Sequence, residues 1–364
     1  MKKKVDERDT MFARMAWSVG SAAYEDYYAR NPDKKPIDDE LRALPGLGSQ
    51  ETPTYSPLAN PIIDGIFGLL ASWHPLVDVE PSPIKIEQSP ETWTKWVKGT
   101  ATYLGADLVG ILAMKPHHYY SHRGRREEVY GEKISNLLPW GIIIVRAMDP
   151  HMIHRAPLAP QTVETVRGYL NVAVTALSLA SSIRQAGYRA RVHMDGNYLL
   201  PLVPAAVDAG LGALGRNGLL ITKEFGPCVR ISAVTTDMPL LETSKGTIFD
   251  KVQRFCSGCN LCSAMCPGKA IPTGPLDKMK DNWIFSSEKC YRVWRNVGTD
   301  CGVCISSCPF TQGAVDWTKL AETEAPEEYA QEIALSCQKR PFNPDPPEWL
   351  KGERAWQTAS YQKI

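Results

Sequence analysis

The sequence predicts an α+β chain, a layered core of helices and short strands followed by a small cysteine-rich module. Three observations carry this. Helical and strand-like patterns alternate from about residue 90 to residue 245. Eight of the ten cysteines crowd between Cys256 and Cys308. The first 90 residues are rich in proline, glycine and charge, with little sustained periodicity.

Taken in order, Tyr24 to Tyr28 predicts a short helix that ends near Asn31-Pro32, because the residue before a proline avoids helical backbone angles. Pro45-Gly46-Leu47-Gly48 and Pro53 to Pro61 predict ordered loop, so residues 1–90 read as a wrapping segment. Glu91 to Gly105 has helical spacing, with Trp93, Trp96, Val97 and Leu104 on one apolar face. Ala106 to Ala113 and Trp140 to Val145 predict buried strands, the second rich in β-branched residues. His117, His118, Tyr119 and Tyr120, just after the first of these, read by default as a surface loop, with the lining of an internal cavity as the alternative. Thr162 to Ala186 predicts a long helix capped at Gly187. Arg189 to His193 reads as a strand, Leu200 to Ala209 as a helix, and Gly218 to Thr222 and Val229 to Thr236 as further strands. After Phe310, a polar tail with prolines from Pro341 to Trp349 predicts an extended cover. The organisation is then a wrapping segment (1–90), a core (91–245), a cysteine module (246–312) and a C-terminal extension (313–364).

Composition excludes several classes. Lys plus Arg number 41 against 40 acidic residues, so no global charge draws the chain to nucleic acid or anionic lipid. Val5 to Asp9 is polar, with no apolar run after it, and no twin-Arg pair opens the chain. The best apolar run, Leu137 to Val145, falls far short of the roughly 20 residues a membrane helix needs. These features predict a soluble, cytoplasmic protein without a membrane span.

The cysteines carry the chemistry. The first run is Cys256-x2-Cys259-x2-Cys262-x3-Cys266-Pro267, and the second is Cys290-x10-Cys301-x2-Cys304-x3-Cys308-Pro309. Three closely spaced cysteines reach three corners of one cubane, while the cysteine before proline crosses to the neighbouring cluster. This predicts two [4Fe–4S] clusters, one on Cys256, Cys259, Cys262 and Cys308, the other on Cys290, Cys301, Cys304 and Cys266. Zinc ribbons also use Cys-x2-Cys pairs, but they need two pairs across a longer loop rather than a third cysteine and Cys-Pro. Cys228 and Cys337 stand apart and read as small buried hydrophobes. Gly210-Leu-Gly212-Ala-Leu-Gly215 fits a dinucleotide pattern but follows a helix-like segment, so it reads as packing and turn.

Over almost its whole length the chain resembles the corrinoid-dependent reductive dehalogenases. The resemblance rests on Tyr24-Glu-Asp-Tyr-Tyr with Asp38-Asp39, Gly105-Ala-Asp-Leu-Val-Gly110 and Ala209-Gly-Leu-Gly-Ala-Leu-Gly-Arg-Asn-Gly218. Glu224-Phe-Gly-Pro227, Val229-Arg230, Thr236-Asp-Met-Pro-Leu240, the long Cys290–Cys301 gap and Cys308-Pro-Phe310 extend it. It implies a nitroreductase-like core that binds a cobamide (a cobalamin-type corrinoid) base-off, with no protein ligand to cobalt. Asp149-x-His151-x-x-His154 approaches a cobalt-ligating motif of other corrinoid proteins, but His154 stands where that motif has glycine. His151 accordingly reads as non-ligating. Matched residue by residue, the family's proton-donating tyrosine falls on Tyr169 and its cation on Arg230. A pocket asparagine falls on Asp195-Gly196-Asn197, with Asn197 or Asp195 in that place. Cys228 either alters the pocket wall or packs. The resemblance implies an organohalide substrate and, in a chain without a fused reductase domain, a separate ferredoxin or flavodoxin donor. A homodimer is compatible with it.

Two rivals remain. Epoxyqueuosine reductases also pair a cobamide with two clusters but act on tRNA, and salt-sensitive tRNA binding would mark them. A non-catalytic electron carrier would bind iron without cobalt.

Overall fold

The computed structural model describes residues 4–352, apart from 136, 245, 247, 275 and 277–282. Its centre is a four-stranded antiparallel sheet of β1 (Leu108–Ala113), β2 (Trp140–Ala147), β3 (Ala190–His193) and β6 (Val229–Thr236), in the order β1-β2-β6-β3. The short strands β4 (Ala213–Leu214) and β5 (Leu220–Ile221) form a separate hairpin.

Side chains of a strand alternate between faces, and here both faces are covered. From β2, Ile142 and Ile144 pack with Ala173, Ala176, Leu179 and Ala180 of the long helix Ala159–Gln185. On the opposite face, Ile143 and Val145 meet Leu112, Ala205, Ala206 and Ala209. That double covering is why residues 142–145 are all apolar. The alanines of the long helix bring its backbone close to the sheet, and this fixes the helix's early turns over β6.

The wrapping segment is more helical than expected. Ala22–Arg30 is a helix capped by Ser21, and two more follow, Lys35–Ala43 and Asn60–Ser72. At the other end Trp317–Glu322 and Pro326–Ser336 are also helical, where an extended cover was expected. Three of these five helices carry proline in their first turn, where the missing N–H costs nothing and the fixed φ already suits a helix. Residues 341–347 run without regular structure, with the Pro341 carbonyl accepting from Ser306 Oγ at 2.8 Å. The expected surface loop at 117–120 is another correction. Tyr119 and Tyr120 are buried in the core, and His118, itself buried, lies 2.8 Å through Nε2 from the Asp208 carboxylate. The two rings fill space beneath Leu200 and Ala205, which polar neighbours in sequence did not betray.

Arg14 pins the wrapping segment. Its Nη2 and Nε donate to the Asp38 carboxylate at 2.6 and 2.9 Å, and its Nη1 to Glu288 at 2.9 Å. Tyr28 adds a 2.6 Å bond to Asp38, which is wholly buried. Glu288 opens the helix Ser287–Val297 that carries Cys290, so the segment is tied to the cysteine module. Burial works against the Glu288 charge, but Lys34 and Arg14 hold its pKa down to about 2. Removing one partner of a buried pair strands the other charge. Arg14→Ala should therefore cost about 3–5 kcal/mol of stability, read from denaturant midpoints against the unaltered chain.

Candidate active site and metal centre

The module holds its thiols in two sets. Those whose charge bears on Cys308 belong to Cys256, Cys262 and Cys259. Those bearing on Cys304 belong to Cys301, Cys290, Cys262 and Cys266. Burial pushes Cys259, Cys290 and Cys301 up to about 12, and Cys304 and Cys308 well above the ordinary thiol range. Protein alone would keep these sulfurs protonated, and bound metal is what makes such thiols into thiolates. The first set borders a small cavity that Arg216, Asn217, Asn260 and Phe310 also line. Asn260 Oδ1 is buried there with no hydrogen-bond partner among the described residues. A soft donor set around a hollow with an unpartnered polar atom fits an iron–sulfur cluster.

Tyr169 lies on the long helix and Arg230 on β6, where they meet. The Arg230 guanidinium carbon sits 5.0 Å from the centre of the Tyr169 ring, a cation–π contact. Gly168 makes this approach possible, since a Cβ there would fall 2.6 Å from Arg230 Cγ. Burial raises the Tyr169 phenol above its ordinary value, and Arg230 pulls in the opposite direction. The Tyr169 ring is half-buried. Phe67 flanks it at 6.3 Å.

Arg230 Nη2 donates to Thr165 Oγ1 at 2.7 Å and to Asp300 at 3.2 Å. Thr162 and Thr165 each donate to Asp300 at 2.8 Å. Asp300 immediately precedes Cys301, so the second thiol set abuts the Tyr169 site. Cys301 adopts φ 65, and Gly302 follows at φ 72, where a Cβ would fall 2.7 Å from Gln161 Cδ. Only glycine allows that loop to sit so tightly on the helix.

Two further residues lie close enough to Tyr169 for their charges to bear on one another, and were not expected. Arg125 and Tyr198 are likewise half-buried. Burial opposes the charge on Arg125, yet Asp195 and Tyr198 keep its pKa above the usual value. Its Nη1 lies 3.5 Å from Asp195 Oδ1, and its guanidinium covers the Phe12 ring at 5.2 Å. Burial pushes Tyr198 up to about 12. Arg125 falls in Arg123-Gly-Arg-Arg126, a run that reads as a solvated charged loop, so no sequence signal distinguishes it. Asp195 faces Arg125, whereas Asn197 is buried with its Oδ1 accepting from Arg191 at 2.8 Å. Cys228 is buried among Met148, Ile153 and Ile305. Asp149 caps a helical turn through the His151 N–H at 2.8 Å, His151 is exposed, and His154 bonds Ser306 at 3.0 Å. That trio is structural.

Residues 255–312 match the 4Fe-4S dicluster domain family. A tetrachloroethene reductive dehalogenase of Sulfurospirillum multivorans is 31% identical over 262 residues, which covers 62% of this chain and 52% of the relative. The chain thus spans about half the length of the curated relatives it matches. A reductive dehalogenase whose structure suggests a mechanism for B12-dependent dehalogenation is 25% identical with a TM-score of 0.66, covering 82% of this chain and 45% of its own. A catabolic reductive dehalogenase in complex with 3-bromo-4-hydroxybenzoic acid shares the fold at TM-score 0.71 and 22% identity, covering 92% of this chain and 46% of its own. Similarity to an epoxyqueuosine reductase of Listeria monocytogenes is shorter, 30% over 118 residues and 30% of each chain.

The Gly168 contact is testable apart from any reaction. Gly168→Ala should push Arg230 off the Tyr169 ring and so raise the phenol's titration point further. Ultraviolet tyrosinate titration, with Tyr169→Phe as the baseline, reads it; a titration point that stays in place counts against the contact.

Proposed function

We propose that this relative of the reductive dehalogenases removes halide from a small organohalide, in a nitroreductase-like core that binds a cobamide base-off. Two [4Fe–4S] clusters serve it in this reading, one on Cys256, Cys259, Cys262 and Cys308, the other on Cys266, Cys290, Cys301 and Cys304. The supporting observation is the line from Tyr169 through Arg230 and Asp300 to the Cys301 loop. Proton donor and electron path meet there.

When bound, the cobamide supplies the low-valent cobalt that reduces the carbon–halogen bond, fed singly with electrons by the clusters. The chain's own residues do the rest. Burial keeps the Tyr169 phenol protonated through neutral pH, so it is loaded as an acid. Arg230 lies where it stabilises the phenolate left after the proton goes to carbon. Thr165 and Asp300 hold Arg230 in that pose. Arg125, Tyr198 and Asp195 wall the space and orient the substrate. Asn197, bound to Arg191, braces the loop that presents Asp195. With His151 exposed and His154 engaged, neither is offered to cobalt. The set containing Cys301 is nearer Tyr169, so the Cys256 set takes electrons first, from a separate ferredoxin or flavodoxin.

The tRNA-modifying alternative fits less well. Its likeness in sequence covers under a third of the chain, and the charge is balanced.

Anaerobically reconstituted protein should hold about one cobalt per eight irons, since each cubane has four irons. Tyr169→Phe should keep that ratio and lose roughly 10²–10⁴-fold in dehalogenation rate, followed as halide release. Full activity in the variant with both metals bound would falsify the role given to Tyr169.

A further inference from the structure

The stretch from Gly210 to Gly215 leads into Arg216, which sits in the turn between β4 and β5. Gly215 N–H donates to the Leu219 carbonyl at 2.9 Å and closes that turn. The turn points Arg216 into the cysteine module, where only 2% of it is exposed. Its Nε donates to the Cys256 carbonyl at 2.9 Å and its Nη2 to the Ser257 carbonyl at 3.1 Å. Nη1 donates to the carbonyls of Pro272 at 2.9 Å and Gly274 at 2.8 Å. The guanidinium carbon lies 5.0 Å from the centre of the Trp283 ring, and the side chain lines the cavity beside Cys256, Cys259, Cys262 and Cys308.

Every contact satisfies a donor, and none supplies a full negative charge. No carboxylate pairs with Arg216 among the described residues. A buried guanidinium held only by carbonyls is costly, and an Arg cannot shed its proton to escape that cost. The charged groups that bear on it are the thiols of Cys262, Cys256 and Cys259. A cubane on four thiolates is anionic, and more so by one unit when reduced. A fixed cation against it therefore favours the reduced form, and such charges are among the features that set cluster potentials. Around the other set the charges are mixed, since Asp300 and Arg340 bear on Cys301 with opposite sign.

We infer that Arg216 is the buried counter-charge of the cluster on Cys256, Cys259, Cys262 and Cys308 and raises its reduction potential selectively. This rests on the cluster assignment above. Arg216 touches neither substrate nor the reacting atoms; it is a positioning residue that acts through the cluster. The step it biases is uptake of one electron by that cluster from a low-potential donor.

The test is an electron-paramagnetic-resonance redox titration of the reconstituted full chain with dithionite, alongside iron analysis. In Arg216→Gln, one of the two reduction steps should move so that the reduced-to-oxidised ratio at a fixed potential falls about tenfold, or about 59 mV for one electron. The other step should stay, and Arg216→Lys, which keeps the charge, should leave both in place. A glutamine variant with full iron and both steps unmoved, or both moved alike, overturns the inference. If the glutamine variant takes up no iron, the lysine variant decides. An unmoved potential then supports the charge, and a tenfold fall assigns the effect to the carbonyl contacts and overturns it. Failure of the unaltered chain to bind any iron–sulfur cluster would overturn the cluster assignment itself.

Discussion

Asp300 accepts from Thr162 and Thr165 at 2.8 Å each and from Arg230 at 3.2 Å, and these bonds fix the start of the long helix against the loop that carries Cys301. Burial strengthens charge-assisted bonds of this kind, because little water competes for the carboxylate. Their geometry sets where Arg230 can lie, and hence which face of Tyr169 it covers. Gly168 completes the arrangement by leaving room for the arginine's stem. The sheet supplies the rigid half of the frame and the cysteine loop the other half.

The same economy of charge recurs elsewhere. Arg14 is buried against Asp38 and Glu288, Arg230 against Asp300, and Arg216 against carbonyls and sulfur alone. In each place an arginine fork joins segments far apart in sequence, and its planar donors fix the angle between them. Among the described residues Arg216 differs in lacking an acid, which is what makes its surroundings informative.

Much of this could be read from residues. Cysteine spacing located the iron–sulfur module, because ligand geometry demands a fixed pattern. The strands and the long helix followed from apolar runs and periodicity, as at Ile142 to Val145. Helices opened by Pro36, Pro61 and Pro326 were hidden, because a proline that starts a helix looks like one that stops it. At the site, Tyr169 and Arg230 came from resemblance, and spacing alone would not have paired them. Arg125 and Tyr198 had no signal at all: their role depends on which loop faces which cavity, and that is decided by tertiary packing.

The clasp on the N-terminal segment bears on the order of assembly. Arg14 and Glu288 are 274 positions apart, and Glu40 meets Arg292 across 252. The segment's contact through Trp17 Nε1 to the Gly124 carbonyl at 2.7 Å spans a shorter loop, whereas its clasp on the helix bearing Cys290 cannot close until that helix has been made. Closing so long a loop carries a large entropic toll and comes late. Until then the helix bearing Cys290 stays uncovered on that side.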